Sequence, residues 1–282
     1  MHLVSGETAT PVESFEVSCD AVGHRIVHLG ELEVEAAPID ERVYGAIERG
    51  AQIAPLHNRP ALAAIAEARA ALPDVPHVAV SDSWFHSTMP DEARRYAVPW
   101  REVVRRGFHG LAVESLVAQV RAPRLVACHL GGGCSVTAVK DGRSVDTTMG
   151  LTPLEGVPMV TRSGSIDPGA LLYLLRSGLG VDDLDHALNE ESGLTALGGL
   201  DEPFVASYFA YHVAKAVAAM ASVLGGVDVI AFSGGIGEHR EDVRKAILER
   251  VEFLGAEPRV VPAREELVIA RHVRRALSRG YT

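Results

Sequence analysis

Residues 124–148 read RLVACHLGGGCSVTAVKDGRSVDTT, and this stretch decides the fold class. Two runs of apolar and β-branched residues flank a triple-glycine turn, and the pair Asp141-Gly142 separates the second run from a third. Asp-Gly between two such runs is a strong hairpin signal, because both turn positions need a positive φ. The stretch therefore predicts a three-stranded meander.

Outward from this meander, apolar strands alternate with helical segments in both directions along the chain. Before it, the sequence predicts strands at residues 15–17, 22–28 and 77–80 and helices at residues 41–50 and 58–72. After it, the sequence predicts strands at residues 227–233 and 259–262 and helices that begin near residues 168, 182, 203, 241 and 265. This alternation predicts an α/β chain of two domains.

The composition of the 282 residues indicates a globular protein, because 47% of them are hydrophobic and 23% are charged. Lys and Arg number 27 against 37 Asp and Glu, which gives a net charge of −10. Such a charge repels phosphate backbones and anionic lipid. We therefore expect neither a nucleic-acid partner nor a membrane partner.

Lysine, cysteine and apolar patterns exclude further classes. None of the lysines follows a glycine-rich turn in the G-x-x-x-x-G-K pattern of a Walker loop. The three cysteines are odd in number and lack zinc-ligand spacing, so neither a disulfide framework nor a zinc site is predicted. The N-terminal residues do not resemble a signal peptide, and the most apolar stretch, residues 216–236, is interrupted by glycines and an aspartate. We expect a cytoplasmic protein.

Two glycine-rich turns leave the C-terminal ends of apolar strands, at Gly131-Gly132-Gly133 and at Gly234-Gly235-Ile236-Gly237. Ligands of α/β sheets bind at that end of the strands, and turns without Cβ atoms let backbone N–H groups approach phosphate oxygens. Each turn taken alone is equally explained by a tight connection, because glycine is the usual residue where φ is positive. As a pair, the turns favour a nucleotide.

Five charged or titratable residues are candidates for chemistry. Arg25 shares a strand face with Val27, and a guanidinium beside an apolar residue suits a small carboxylate. Arg162 would supply a second guanidinium, which can bind carboxylate or phosphoryl oxygens with two N–H groups. Asp82 ends an apolar strand and Glu265 opens the last helix, where carboxylates hold Mg²⁺ or act as bases. His109 lies between two glycines, which favours a functional imidazole over a core histidine. The alternatives are surface ion pairs for the arginines and a helix-dipole contact for Glu265.

In sequence order, several of these motifs resemble those of the acetate kinase family of short-chain acyl kinases. They are VGHRIVHLG, APLHN, WFHSTMP, GFHG, HLGGGCSVTAVKDGRSVDTTMGLTPLEGVPMVTRSGSIDPG, GGIGE and EELVIAR. The likeness extends from Ala21 to Val273, and the run from His129 to Pro168 is its most specific part.

The resemblance implies a two-domain acetokinase-type α/β fold, of the ribonuclease H-like, actin-like ATPase kind. The first domain would be residues 1–83, completed by the C-terminal helix at 266–282, and it would be incomplete because the family's opening strands are not found. Residues 84–265 would form the second domain, which binds the nucleotide and forms a homodimer. Members transfer the γ-phosphoryl of ATP, with Mg²⁺, to a carboxylate, giving an acyl phosphate and ADP.

The resemblance also assigns roles to single residues. Arg25 and Arg162 look like the arginines that hold the carboxylate and the transferring phosphoryl, Asp82 like the catalytic aspartate, and His109 like the transition-state donor. The acyl pocket would be formed by Val27, Leu56, Phe108 and Pro153, and Glu265 would bind Mg²⁺. The nucleotide would be bound by His129, Gly131, Gly132, Gly133, Gly235, Ile236, Gly237 and Glu238.

The chain departs from the family pattern mainly at the nucleotide. The N-x-G-S-S-S-x-K segment is not found, Gly132 stands where the family has Asn, and no Asp-x-Arg loop follows Gly199. Three hypotheses remain open: an acetate kinase-like phosphotransferase, a divergent paralogue that acts as a binding or dimerisation module without turnover, and a kinase for propionate or butyrate. One methylene is worth only ~1–3 kcal/mol of discrimination, so the pocket residues leave the acid open.

Overall fold

The computed structural model describes residues 1–278, apart from the side chains of Pro55 and Leu56. Among those residues the strands are β1 (His2–Ser5), β2 (Thr8–Pro11), β3 (Val22–Ile26), β4 (Ala36–Pro38), β5 (His77–Ser81), β6 (Arg124–Leu130), β7 (Cys134–Lys140), β8 (Arg143–Thr147), β9 (Val229–Ser233) and β10 (Glu257–Val260). The helices are α1 (Glu41–Gly50), α2 (Pro55–Ala71), α3 (Asp91–Arg94), α4 (Gly110–Val120), α5 (Pro168–Arg176), α6 (Val181–Glu190), α7 (Gly193–Ala196), α8 (Pro203–Leu224), α9 (Gly234–His239), α10 (Glu241–Arg250) and α11 (Glu265–Ser278).

The chain divides into two units. The first comprises Met1–Ser87, Phe108–Ser115 and the segment from Arg264 onward, and the second comprises Thr88–Gly107 and Leu116–Ala263. The sequence analysis assigned residues 108–115 to the second domain, whereas the structure packs Leu111 into the core of the first. Residues 279–282, the end of the expected C-terminal helix, lie outside the described part of the chain.

The first unit is built on a three-stranded sheet with β5 in the middle. Strand β3 runs parallel to β5 and β4 runs antiparallel to it. Every residue of β5 is buried, and its side chains alternate between two apolar clusters. Ala79 joins the cluster toward α1 and α2, whereas Val78 and Val80 join the cluster toward α11. The sheet is therefore covered by helices on both faces.

Helix α2 begins at Pro55, three residues before the predicted start at Asn58. Asn58, two residues before Pro60, is by residue type a candidate N-cap for this helix, but its side chain is buried and belongs to another hydrogen-bond network. Its Nδ2 donates to the carbonyls of His28 and Ile47, and its Oδ1 accepts from the His28 amide. A cap residue and a buried tertiary linker have the same residue type, so sequence pattern does not separate them.

The N-terminal segment also differs from the prediction. Residues 15–17, predicted as a strand, form none, whereas β1 and β2 form an antiparallel hairpin in a stretch interpreted as irregular. The hairpin turn contains Gly6 at φ +59°, a conformation that suits glycine. Short polar strands carry little hydrophobic alternation, which explains why the pattern missed them.

The second unit contains the predicted meander inside a five-stranded sheet of order β10-β9-β6-β7-β8. Strands β6, β7 and β8 pair antiparallel, as predicted, and the connecting residues Asp141 and Gly142 both have positive φ, +48° and +78°. Strands β9 and β10 add in parallel on the other side of β6. The C-terminal ends of β6 and β9, where the two glycine turns begin, are therefore neighbours.

Helix α8 is the one helix among the described residues that is long and apolar enough to cross a membrane. It packs against β7 and α10, and Val205, Phe209, Val213 and Val217 are completely buried there. This burial pattern is that of a core helix of the second unit.

The small residues of α8 recur at three- and four-residue spacing, a pattern that predicts a helix face for close packing in a dimer, but the structure does not leave that face open. Ala210, Ala214 and Ala221 are buried within the second unit itself. The exposed side of the helix carries Phe204 and Tyr211 instead. Small residues at helical spacing pack closely against any neighbour, and here that neighbour is the unit's own core.

Candidate active site

Asp82 and Arg25 form an ion pair in the first unit, in which only the aspartate is buried. Arg25 lies in β3 and Asp82 follows β5 directly, and the parallel pairing of these strands brings the two residues together. Arg25 Nη2 donates to Asp82 Oδ2 at 2.9 Å; the aspartate side chain is 1% exposed, whereas that of Arg25 is 39% exposed. The carboxylate is therefore inside the protein, and the guanidinium extends from it toward solvent.

His109 is attached to the same carboxylate through its backbone. Its N–H donates to Asp82 Oδ2 at 3.0 Å, and the next amide, of Gly110, donates to the Asp82 carbonyl at 2.7 Å. The residue has φ +61°, which is uncommon outside glycine. A Cβ at Gly110 would overlap the Asp82 carbonyl oxygen, so glycine is required for this approach. The constraint predicted from the two flanking glycines is present.

The surroundings fix the charge state of Asp82. Burial would raise the pKa of this carboxyl, but the charges of Arg25 and His109 and the hydrogen bonds that it accepts outweigh burial and lower its pKa to about 2. The Asp82 charge in turn raises the pKa of Arg25. Both groups are ionised at neutral pH, and such a carboxylate is a weak base. Asp82 is suited to hold Arg25 and the His109 turn in place.

Glu265 completes the group at the first residue of α11. Its Oε2 lies 3.4 Å from Arg25 Nη1, so this guanidinium bridges two carboxylates. Burial raises the pKa of Glu265, Arg25 opposes that rise, and the charge of Asp82 adds to it. A second cation near the two carboxylates would relieve their repulsion.

The residues present fit Mg²⁺ that is shared with a phosphate ligand. Asp82 Oδ1 is buried and has no hydrogen-bond partner among the described residues, and Glu265 is a second hard oxygen donor close to it. No group of three or more His, Cys, Asp or Glu that could hold a metal occurs in the part of the chain that the structure describes. Mg²⁺ typically takes one or two carboxylates and completes its shell with water and phosphate oxygens.

A second histidine supports the turn from behind. His86 is 1% exposed, and its Nε2 donates to the carbonyl of Phe108 at 3.0 Å, because a carbonyl only accepts. Burial is the main cause that lowers the pKa of His86 to about 4, so the ring is neutral at pH 7. By sequence alone His86 is only a weaker candidate than His109 for a functional imidazole. Its burial next to Asp82 is a tertiary feature that the motif WFHSTMP does not reveal.

The expected acyl-pocket residues are distributed over both units. In the first, Val27 is half-buried just beyond the end of β3, and Phe108 is 1% exposed. The side chain of Leu56 lies outside the described part of the structure. Pro153 is buried in the second unit.

In the second unit, the two glycine turns contact each other backbone to backbone. Gly234 has φ +77°, and a Cβ there would lie 2.7 Å from the Leu130 carbonyl oxygen. His129 Nδ1 and Ser233 Oγ are 3.0 Å apart across the paired strand ends. Gly132, by contrast, has open space where a Cβ would be. The turns thus form one continuous ledge, defined here as Gly131–Gly133 together with Gly234–Gly237.

Glu238, an expected nucleotide contact, is used within this ledge. Its Oε1 accepts a hydrogen bond from the Gly234 amide at 3.0 Å, which closes the turn at the start of α9. Ile236 and Gly237, like Gly234 and Gly235, lie in the short helix α9, so this segment is helical where the sequence predicts a turn. The carboxylate therefore stabilises the ledge in this state.

Arg162 lies in the long connection between β8 and α5, also in the second unit. Burial lowers the pKa of its guanidinium, and the nearby thiol of Cys134 opposes that shift. The amide of Val160 donates to the Gly132 carbonyl at 3.2 Å, which joins the turn that carries Arg162 to the ledge. The structure thus groups Arg25, Asp82, His109 and Glu265 in the first unit, and Arg162 with the ledge in the second.

Comparison with known proteins identifies the family of the chain. The sequence profile of the Acetokinase family matches residues 3–265. The chain is 46% identical over 266 residues to an acetate kinase of Deinococcus deserti, covering 83% of this chain and 66% of that one. It is 40% identical over 268 residues to an acetate kinase of Clostridium beijerinckii, covering 84% and 67%. The chain thus spans about two thirds of the length of these curated relatives.

A solved structure confirms the fold class. The structure of a propionate kinase from Francisella tularensis superposes with a TM-score of 0.83 at 32% identity, covering 90% of this chain and 78% of that one. The two-domain acetokinase-type α/β fold expected from the motifs is therefore confirmed. On the family profile, the relatives and this superposition together, the chain belongs to the acetokinase family.

Proposed function

We propose that this chain is a phosphotransferase that moves the γ-phosphoryl of ATP to the carboxylate of acetate or a similar short-chain acid. A carboxylate oxygen attacks the γ-phosphorus, the new P–O bond forms, and the bond to the β-phosphate oxygen breaks with its electron pair left on ADP. The products are an acyl phosphate and ADP. The proposal includes direct, in-line transfer.

The observation that carries this proposal is the cluster of Arg25, Asp82 and His109. An acid acceptor is already a carboxylate at neutral pH, so the attack requires no general base. A site for it needs cations and N–H donors, and an ionised aspartate that holds them in position. The Arg25–Asp82 ion pair and the Asp82–His109 hydrogen bond supply that arrangement.

In this proposal each residue has a defined task, and Asp82 has two. Arg25 retains N–H groups beyond those that contact Asp82 and Glu265, and they bind the acceptor carboxylate. The imidazole of His109 donates to a phosphoryl oxygen, and Asp82 holds both groups. Arg162 is assigned to the phosphoryl by the family resemblance. Glu265 and Asp82 Oδ1 would hold Mg²⁺, which neutralises charge on the phosphates when it is bound.

The nucleotide is assigned to the ledge. Its backbone N–H groups and open space at Gly132 suit phosphate oxygens, and its position follows two parallel strands. His129 lies at the end of the strand that leads into the ledge and is expected to contact the nucleotide. We expect the active form to be a homodimer in the cytoplasm, as the family resemblance implies.

The alternative function is binding without turnover, and one observation favours it. Gly132 stands where the family pattern has asparagine, and a residue without a side chain supplies no side-chain hydrogen bond to ATP. Such a paralogue would bind a carboxylate at Arg25 while failing to transfer phosphate.

An assay of acyl hydroxamate formation separates the two functions. The purified chain with acetate, MgATP and hydroxylamine is expected to form acetyl hydroxamate, and propionate and butyrate are compared at equal concentration. Arg25→Ala is the matched control for background. Product equal to that control, with acetate still raising the melting temperature of the wild type, would establish the binding module instead.

A further inference from the structure

Gly193, the first residue of α7, lies against the backbone of the turn that carries Arg162. It has φ +65°, and a Cβ there would overlap the Met159 carbonyl oxygen and lie 2.6 Å from the Arg162 carbonyl oxygen. Both obstacles are backbone atoms, so they cannot move aside as the end of a flexible side chain does. Only glycine fits here without a shift of the arginine turn.

The contact belongs to a hydrogen-bonded seam between residues 188–195 and residues 159–163. Ser192 N–H donates to Thr161 O and Leu194 N–H donates to Met159 O, each at 2.9 Å. The Val160 carbonyl accepts from both the amide and the hydroxyl of Thr195, again at 2.9 Å. The backbone of residues 159–163 is therefore held by hydrogen bonds to residues 188–195.

On its other side the same turn is fixed to the ledge. The Val160 amide donates to Gly132 O at 3.2 Å, and Met159 N–H closes the turn onto Arg162 O at 3.1 Å. A displacement caused at Gly193 therefore reaches the Arg162 backbone and the ledge together. Rigid packing on both sides leaves no room for the turn to relax locally.

We propose that Gly193 is a positioning residue that sets the place of the Arg162 guanidinium for phosphoryl transfer. This inference rests on the proposed function, in which Arg162 stabilises the transferring group. Replacement of Gly193 by alanine requires a shift on the order of 1 Å, and a misplacement of that size costs ~10²-fold in rate.

The test compares two glycines with nearly the same backbone conformation. Gly193→Ala is expected to lower kcat ~10²-fold with little change in the KM for ATP. The matched control is Gly255→Ala, because Gly255 has φ +63° and nothing within 4 Å of a Cβ. Both variants bear the cost of an alanine in the left-handed region, but only the first displaces the arginine turn. Equal kcat in the two variants would overturn the inference.

A double-mutant cycle distinguishes positioning from a general loss of structure. If Gly193 acts through Arg162, adding Gly193→Ala to Arg162→Ala lowers kcat no further. Multiplication of the two losses would mean a merely structural role and would contradict the proposal. If Gly193→Ala does not fold, Thr195→Val replaces it in the cycle, because it removes only the hydroxyl contact with Val160 and is expected to lower kcat ~3-fold.

A readout without turnover separates failure of this inference from failure of the proposed function. In the 15N-labelled full chain, Gly193→Ala is expected to shift the amide resonances of Val160 and Arg162, and Gly255→Ala is expected to leave them unchanged. An inactive wild type that shows these shifts refutes the kinase, and with it the catalytic purpose, while it retains the contact by which Gly193 sets the position of the arginine turn. If the wild type is active and Gly193→Ala changes neither these resonances nor kcat, the kinase is retained and the positioning role of Gly193 is refuted.

Discussion

The backbone N–H of His109 donates to the side chain of Asp82 at 3.0 Å, and the same carboxylate oxygen accepts from Arg25. One buried charge thus fixes the backbone of a histidine in the left-handed region and the side chain of an arginine. Removal of that charge is therefore expected to disturb both groups at once.

Asp82→Asn is expected to lower kcat/KM at least ~10²-fold, because a neutral amide oxygen can still accept from Arg25 and His109 but no longer supplies the negative charge that holds the Arg25 guanidinium. The measurement is steady-state kinetics at pH 7.5. Asp82→Glu, which keeps the charge but lengthens the side chain, is the companion variant. Unchanged kinetics in Asp82→Asn would show that the charge has no part in the reaction.

The same carboxylate predicts a pH dependence of stability. Its pKa is lowered in the folded state from 3.8 to about 2, so it stabilises the fold above pH 4, and this contribution is lost as the pH falls toward 2. The wild type should lose about 2 kcal/mol of unfolding free energy over that window that Asp82→Asn does not lose. Urea unfolding at several pH values measures both; parallel curves would contradict the low pKa.

His86 predicts a second window. Its pKa of about 4 means that the unfolded chain takes up a proton between pH 6.5 and 4 that the folded protein does not. The unfolding free energy therefore has its full value above pH 6.5 and falls as the pH is lowered from 6.5 to 4. His86→Gln should reduce the loss by about 3 kcal/mol, while its amide can still donate to Phe108 O. An identical pH dependence in the variant would rule out a buried neutral histidine.

The roles proposed for Arg25 and Arg162 are tested by neutral and by charge-preserving substitutions. Arg25→Ala and Arg162→Ala should each lower kcat/KM at least ~10²-fold, and Arg→Lys at either position should restore little, because an ammonium cannot reproduce a planar fork. Full activity in a lysine variant would leave only a requirement for positive charge.

Gly132 and Gly234 should respond in opposite ways to a side chain. A Cβ at Gly132 meets nothing within 4 Å, so the Cβ of Gly132→Asn is accommodated, and we expect this variant to lower the KM for ATP ~3- to 10-fold, the worth of one hydrogen bond. Gly234→Ala places a Cβ against Leu130 O at φ +77° and should lose stability and activity. Initial-rate kinetics and thermal unfolding test both; an impaired Gly132→Asn would refute the open space.

A structural feature of this protein is predictable from the sequence where its signal lies in neighbouring residues. The β6–β7–β8 meander and the fold class were predictable, because Asp141-Gly142 and the glycine turn are local signals. Asp82, Arg25 and His109 were each singled out, but the hydrogen bond from the His109 amide joins residues 27 positions apart and has no local signal. Asn58 was misinterpreted as a cap for the same reason, since its partner His28 is 30 positions away.

The direct transfer of phosphate to a carboxylate is the central claim, and acetate labelled with 18O tests it most directly. The chain is incubated with MgATP and the labelled acid, and acetyl phosphate is observed by 31P NMR. We predict a product signal carrying the isotope shift of one bridging 18O, because the carboxylate oxygen itself bonds to phosphorus. Acetyl phosphate without that shift, or no product above the Arg25→Ala control, would contradict the account.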